Sequence, residues 1–100
     1  DIVGVELDAT RASSARRAFA NVPNVTILEQ DFLGATLEAF DYVIGNPPYV
    51  SILELSPAER LLYRDRFQTA RGRFDLYALF FEQALRLLRR RGRLVFITPE

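Results

Sequence analysis

The chain has 100 residues, enough for one small domain, and with 49% hydrophobic residues it can bury a core rather than remain disordered. Its formal net charge is zero, which excludes a protein that coats nucleic acid through a global basic field but not an enzyme that meets DNA in one cleft. There is no cysteine and no histidine, so disulfides, thiolate metal sites and the commonest metal ligand and general base are excluded; no metal site is expected.

No apolar run reaches the roughly 18 residues of a membrane span, and no signal peptide is visible, so a cytoplasmic protein without a membrane partner is expected. Every basic residue is arginine, as in a genome rich in G and C. The sequence starts at Asp1 and stops at Glu100 directly after an apolar run, and it reads as a piece of a larger protein.

Ile2 to Leu7 reads as a short strand ending in acids, "IVGVELD". Asp8 is placed to cap a helix over Ala9 to Ala20, with Ala12, Ala15 and Phe19 on one side, stopped by Asn21 and Pro23. Val25 to Leu28 is a second strand running into "LEQD", and Gly34 to Ala39 is a turn or short helix. Asp41 to Gly45 is a third strand. "SPAE" at 56–59 is a helix start, with Ser56 as cap, Pro57 in the first turn and Glu59 three residues on, predicting a helix to about Phe67. "FDLYALFFEQALRLLRRRG" carries Leu76, Leu79, Phe80, Ala84, Leu87 and Leu88 at helical spacing, predicting a helix from about Asp75 to Arg90 closed by Gly92. Leu94 to Thr98 is a fourth strand, stopped by Pro99.

Apolar strands alternating with helices predict an α/β fold: a parallel sheet with helices on both faces. In open sheets of this kind ligands bind beyond the carboxyl ends of the strands. Three of the four strands end in polar candidates: Glu6 and Asp8, Asp31, and Asn46. Glu6 can accept hydrogen bonds from both hydroxyls of a ribose, or simply be a solvated strand end. Asp31 can accept from an adenine amino group, or cap the turn through Phe32 and Leu33.

The third strand runs into "IGNPPYV", residues 44–50. Two prolines hold Asn46 and Pro47 extended and contribute no N–H, so the loop is rich in acceptors and poor in donors. The side-chain oxygen of Asn46 and the carbonyl of Pro47 suit one –NH2 group, each taking a hydrogen, and Tyr49 offers a flat face for a ring. That matches a heterocycle with an exocyclic amine, such as adenine.

With "VGVELD", "LEQDFL", "GNPPYV" and "FDLYALFFEQALRLLRRRGRLVFITP" in this order, nearly the whole chain resembles the S-adenosylmethionine-dependent adenine-N6 DNA methyltransferases of bacterial restriction–modification systems. The resemblance implies a partial class I, Rossmann-like catalytic domain over residues 1–100. It implies Glu6 on the ribose of S-adenosyl-L-methionine, Asp31 on its adenine amino group and Phe80 lining its adenine pocket. Asn46, Pro47 and Tyr49 become catalytic and substrate-binding residues, acting on an adenine flipped from double-stranded DNA.

Arg71 and Arg73, in the connection that the family places beside the target base, become candidate phosphate contacts. The family's first strand and glycine-rich cofactor loop, its later strands and its target-recognition region have no counterpart here. The piece alone is therefore expected to be inactive and to bind cofactor weakly, with its inner strands paired directly or through self-association. Other readings of the same loop are a protein glutamine methyltransferase, an RNA methyltransferase, or a non-catalytic remnant serving as an interaction module.

Overall fold

The computed structural model describes residues 1–37 and 39–97. The chain forms two compact units, Asp1–Thr36 and Leu37–Glu100, each built on a two-stranded parallel sheet. Each ladder is parallel and carries a helix, as the strand–helix alternation predicts, and each has two strands among the described residues.

In the first unit β1 (Ile2–Glu6) pairs with β2 (Val25–Glu29), from Ile2 opposite Val25 to Glu6 opposite Glu29. Between them runs α1 (Ala9–Ala18), two residues shorter than its sequence pattern. Asp8 caps it by accepting the Thr10 N–H at 3.0 Å, and Arg16 and Arg17 lie in its last turn, where a positive charge suits the helix dipole. Ala12 is fully buried, and only so small a side chain lets the helix lie close to the strands.

Ile2 donates to the Asn24 carbonyl at 2.8 Å and Gln30 to the Glu6 carbonyl at 3.0 Å, which fixes the phase of the ladder. Parallel pairing then turns the main-chain groups of Val25, Ile27 and Glu29 to the outer edge of β2, and those of Val3 and Val5 to the free edge of β1. Arg16 covers the outer edge of β2, donating Nε and Nη2 to the Ile27 carbonyl at 3.3 and 3.1 Å. The edge at Val3 and Val5 has no such cover among the described residues.

In the second unit β3 (Phe40–Gly45) pairs with β4 (Leu88–Phe96), and α3 (Leu76–Leu87) packs on one side of them. Phe81 on α3 meets Phe96 on β4 edge-on at 5.0 Å. The opposite side carries Tyr42, Ile44 and Val95, 68%, 79% and 59% exposed. Between β3 and α3 lies α2 (Pro57–Arg66), which starts as "SPAE" predicts: Ser56 accepts the Glu59 N–H at 3.1 Å, and Glu59 accepts the Ser56 N–H at 3.0 Å. Phe67, Ala70, Phe74 and Leu79 form the buried centre of this unit.

The end of α3 differs from the sequence reading. The helix stops at Leu87, not near Arg90, because Leu88 already adopts extended geometry (φ −78°, ψ 135°) and pairs with Phe40. Pairing resumes only at Tyr42 opposite Arg93, so Asp41 faces a bulge of Arg89–Gly92. Arg91, not Gly92, takes the left-handed conformation, at φ 68°. Gly92 is needed for closeness instead: a Cβ there would lie 2.8 Å from the Arg89 carbonyl oxygen and 3.0 Å from that of Asp41. The predicted strand end at Thr98 and its stop at Pro99 lie outside the described residues.

Candidate active site

The Asn46–Tyr49 loop leaves the carboxyl end of β3, where Ile97 N–H donates to the Gly45 carbonyl at 3.2 Å. Phe96 lies over Gly45, so a Cβ there would come within 3.1 Å of its ring. Pro47 is buried and anchors the loop, whereas Asn46 is exposed. Neither the Asn46 side chain nor the Pro47 carbonyl takes part in a hydrogen bond among the described residues. Both oxygens keep their accepting capacity, and the prolines supply no N–H to consume it.

Tyr49 is 51% exposed. Its hydroxyl donates to the Ile97 carbonyl at 2.8 Å, and its ring meets Tyr77 edge-on at 6.2 Å. Tyr77 contacts Phe81, which contacts Phe96, so a row of rings on α3 and β4 backs the loop. The chain after Tyr49 is pinned to the start of α3. Leu76 N–H donates to the Val50 carbonyl at 2.7 Å and Ile52 N–H to the Phe74 carbonyl at 3.0 Å, on either side of an antiparallel bridge between Ser51 and Asp75. A planar amine on this loop would find two free acceptors and an aromatic surface whose tilt is set by its own hydroxyl.

In the first unit Glu6 and Asp31 come together at the carboxyl end of the β1–β2 ladder. Glu6 Oε1 accepts the Asp8 N–H at 3.3 Å and lies 3.8 Å from Arg11 Nη1, leaving Oε2 without a partner among the described residues. Asp31 does cap the following turn: its Oδ1 accepts the Leu33 N–H at 3.1 Å at the head of the short Phe32–Gly34 3-10 helix. The other carboxylate oxygen remains available. Each acid therefore has one oxygen fixed and one without a partner among the described residues, a pair of acceptors that fits the hydroxyl and amino groups of a nucleoside. Phe80 sits half-buried on α3 of the second unit.

The structure separates two arginines that the sequence offers as equals. Arg71 is not a free phosphate contact: its Nη1 donates to the carbonyls of Arg64, Phe67 and Ala70 at 3.3, 3.4 and 3.2 Å, tying off the end of α2. Arg73 is exposed and has no hydrogen bond or ion pair among the described residues.

Two further supports escaped the sequence reading. Ser51 and Glu54 form a second capping box, over the 3-10 helix Ile52–Glu54, whose Ser-x-x-Glu spacing was visible as "SILE". Glu82 accepts the N–H groups of Gln68 and Thr69 at 3.0 and 2.7 Å and pairs with Arg86, which lies over the Phe67 ring. Burial raises the Glu82 pKa, but the N–H groups of Thr69 and Gln68 and the Arg86 charge outweigh it, and the carboxyl lies below its usual range.

Residues 4–100 match the family model described as Eco57I restriction-modification methylase. The chain belongs to this family. It is similar to the Type II methyltransferase M.XhoI of Xanthomonas vasicola, with 51% identity over 76 residues, 74% of this chain and 14% of that protein. It is also similar to the Type II methyltransferase M.TthHB8I of Thermus thermophilus, 44% identical over 62% of this chain and 16% of the relative. The modification methylase CviBIII of Paramecium bursaria Chlorella virus NC1A aligns over 98% of this chain at 35% identity. The chain spans 14% to 24% of the length of these three proteins. The glutamine-methyltransferase, RNA-methyltransferase and remnant readings draw no support from them. Among the described residues no helix is long and apolar enough to cross a membrane.

Proposed function

We propose that the protein transfers a methyl group from S-adenosyl-L-methionine to the N6 amino group of adenine in DNA, as part of a restriction–modification system. The observation that carries this reading is the pair of unengaged acceptors, Asn46 Oδ1 and the Pro47 carbonyl, beside the exposed Tyr49 ring at the end of a parallel strand. Membership in the methylase family supports it.

An adenine amino nitrogen is a poor nucleophile because its lone pair is delocalised into the ring. When its two hydrogens are held by Asn46 and Pro47, pyramidal geometry is favoured, and the oxygens oppose the positive charge that grows on nitrogen during attack. One preorganised group of this kind contributes about 3–4 kcal/mol. Neither oxygen is basic enough to keep a proton, so the surplus proton leaves to water. Tyr49 stacks on the base after it has been flipped from the duplex, adding about 1–3 kcal/mol. No histidine or cysteine is required, because no covalent enzyme intermediate forms.

S-adenosylmethionine supplies an electrophilic methyl group when bound. Glu6 would hold its ribose, Asp31 its adenine amino group, and Phe80 its adenine ring. The chain is read as part of one Rossmann-like catalytic domain in which further strands pair with the open edges of β1 and β3; the greater length of the relatives supports this. Residues 1–100 alone are then inactive.

The test is a methyl-transfer assay of the intact protein on unmethylated DNA with labelled cofactor, followed by digestion to nucleosides. N6-methyladenine as the product, lost in Asn46→Ala, is the expected result. Label in cytosine, in RNA alone or in glutamine would overturn the reading.

A further inference from the structure

We infer that Arg73 anchors a phosphate of the DNA strand that carries the target base, an assignment that rests on the methyltransferase reading above. Arg73, Ser51, Leu53, Asp75 and Tyr77 line an open cleft of about 500 Å³ in the second unit. Two of its lining side chains differ in chemistry. Tyr77 touches the Tyr49 ring, and Arg73 brings a guanidinium with no partner among the described residues.

The wall between them is rigid. The Ser51–Asp75 bridge and the flanking main-chain bonds, Leu76 to Val50 and Ile52 to Phe74, staple the Arg73 segment to the continuation of the Asn46–Tyr49 loop. Gly72, at φ 55°, turns the chain between Arg71 and Arg73, so one arginine ties off α2 while the other serves the cleft.

A nucleotide offers the complementary pair, a planar base and an adjoining phosphodiester. The planar fork of arginine matches phosphate oxygens bidentately, and it is less hydrated than an ammonium, so it gives up water at lower cost. Asp75 also lines the cleft. It is the N-cap of α3 but makes no side-chain cap bond.

The experiment is steady-state methylation of unmethylated duplex DNA by the intact protein at several salt concentrations. The variants are Arg73→Gln, Arg73→Lys and Arg71→Gln, with thermal melting of each. Arg73→Gln should raise KM for DNA about five- to tenfold, leave kcat and Tm near wild type, and flatten the dependence of log KM on log salt by about 0.9, the value of one phosphate contact. Arg73→Lys should keep the wild-type salt slope. Arg71→Gln should lower Tm without changing the slope.

A wild-type slope and KM in Arg73→Gln would overturn this inference while leaving the methyltransferase reading intact. A wild-type protein that methylates no DNA would overturn both.

Discussion

The Tyr49 hydroxyl donates to the main-chain carbonyl of Ile97 at 2.8 Å, so the half-exposed ring is held at its far end by the chain just beyond β4. On the proposed function the bond orients the ring and the ring stacks on the base, so two substitutions separate the roles. Tyr49→Phe removes a hydrogen bond worth about 0.5–1.5 kcal/mol and keeps the aromatic face. Tyr49→Ala removes both, adding about 1–3 kcal/mol of stacking. In methyl-transfer assays kcat/KM should fall by up to about tenfold in the first and a further five- to hundredfold in the second. Equal losses would count against the stacking role.

Glu82 clasps the turn after α2 through Gln68 and Thr69. Its carboxyl pKa is lowered in the folded protein, so its contribution to stability is complete well above the unfolded value near 4.5 and fades as pH falls through the lower folded value. Glu82→Gln should cost about 1.5–3 kcal/mol at pH 7, because the two N–H groups donate to different oxygens and glutamine has only one, so one charge-assisted bond is lost and the other becomes neutral. Denaturant titrations at pH 7 and pH 4 check this, and the penalty should shrink at the lower pH. A penalty as large at pH 4 as at pH 7 would show that the charge is irrelevant.

Gly92 and Arg91 allow a separate test of the bulge. Gly92→Ala forces a Cβ to within 3.0 Å of two main-chain carbonyls, and backbone cannot yield as a side chain can, so about 1–3 kcal/mol should be lost. Arg91→Gly relieves a left-handed residue that costs about 1–2 kcal/mol and pays part of that back in chain entropy, so it should be neutral or slightly stabilising. Thermal melts of the two variants moving in the same direction by the same amount would contradict this account.

These sites also show what a reader of the sequence can and cannot recover. The start of α2 was legible because Ser56, Pro57 and Glu59 act within one turn and need no tertiary information. The end of α3 was not, because a glycine after a helix has two physical explanations, positive φ or close approach, and only the Asp41 and Arg89 carbonyls decide between them. Likewise Asp31 satisfies a local cap that the sequence already offered, and Arg71 differs from Arg73 only through where α2 happens to finish. The loop's place at the end of β3 was legible, since an apolar strand runs straight into Asn-Pro-Pro-Tyr. Parallel pairing was legible too, from strands alternating with helices, but which residues lie opposite each other was not, because register is set by contacts distant in sequence.

Asn46 gives the sharpest chemical test. It is exposed and makes no hydrogen bond among the described residues, so replacing it should leave Tm unchanged. Loss of activity in its variants then reports chemistry rather than folding. Asn46→Ala removes one of two preorganised acceptors and should lower kcat by about 10²–10³-fold. Asn46→Asp keeps an acceptor at nearly the same place, and a carboxylate opposes positive charge on nitrogen more strongly than an amide does. Its own desolvation offsets part of that gain. Asn46→Asp should therefore retain at least tenfold more activity than Asn46→Ala, and more at pH 8 than at pH 5, where protonation begins to turn the carboxylate into a donor. Single-turnover methyl transfer on unmethylated DNA measures this without interference from product release. If Asp and Ala proved equally inactive at both pH values, acceptance of the amine hydrogens by this side chain would not be the step it assists.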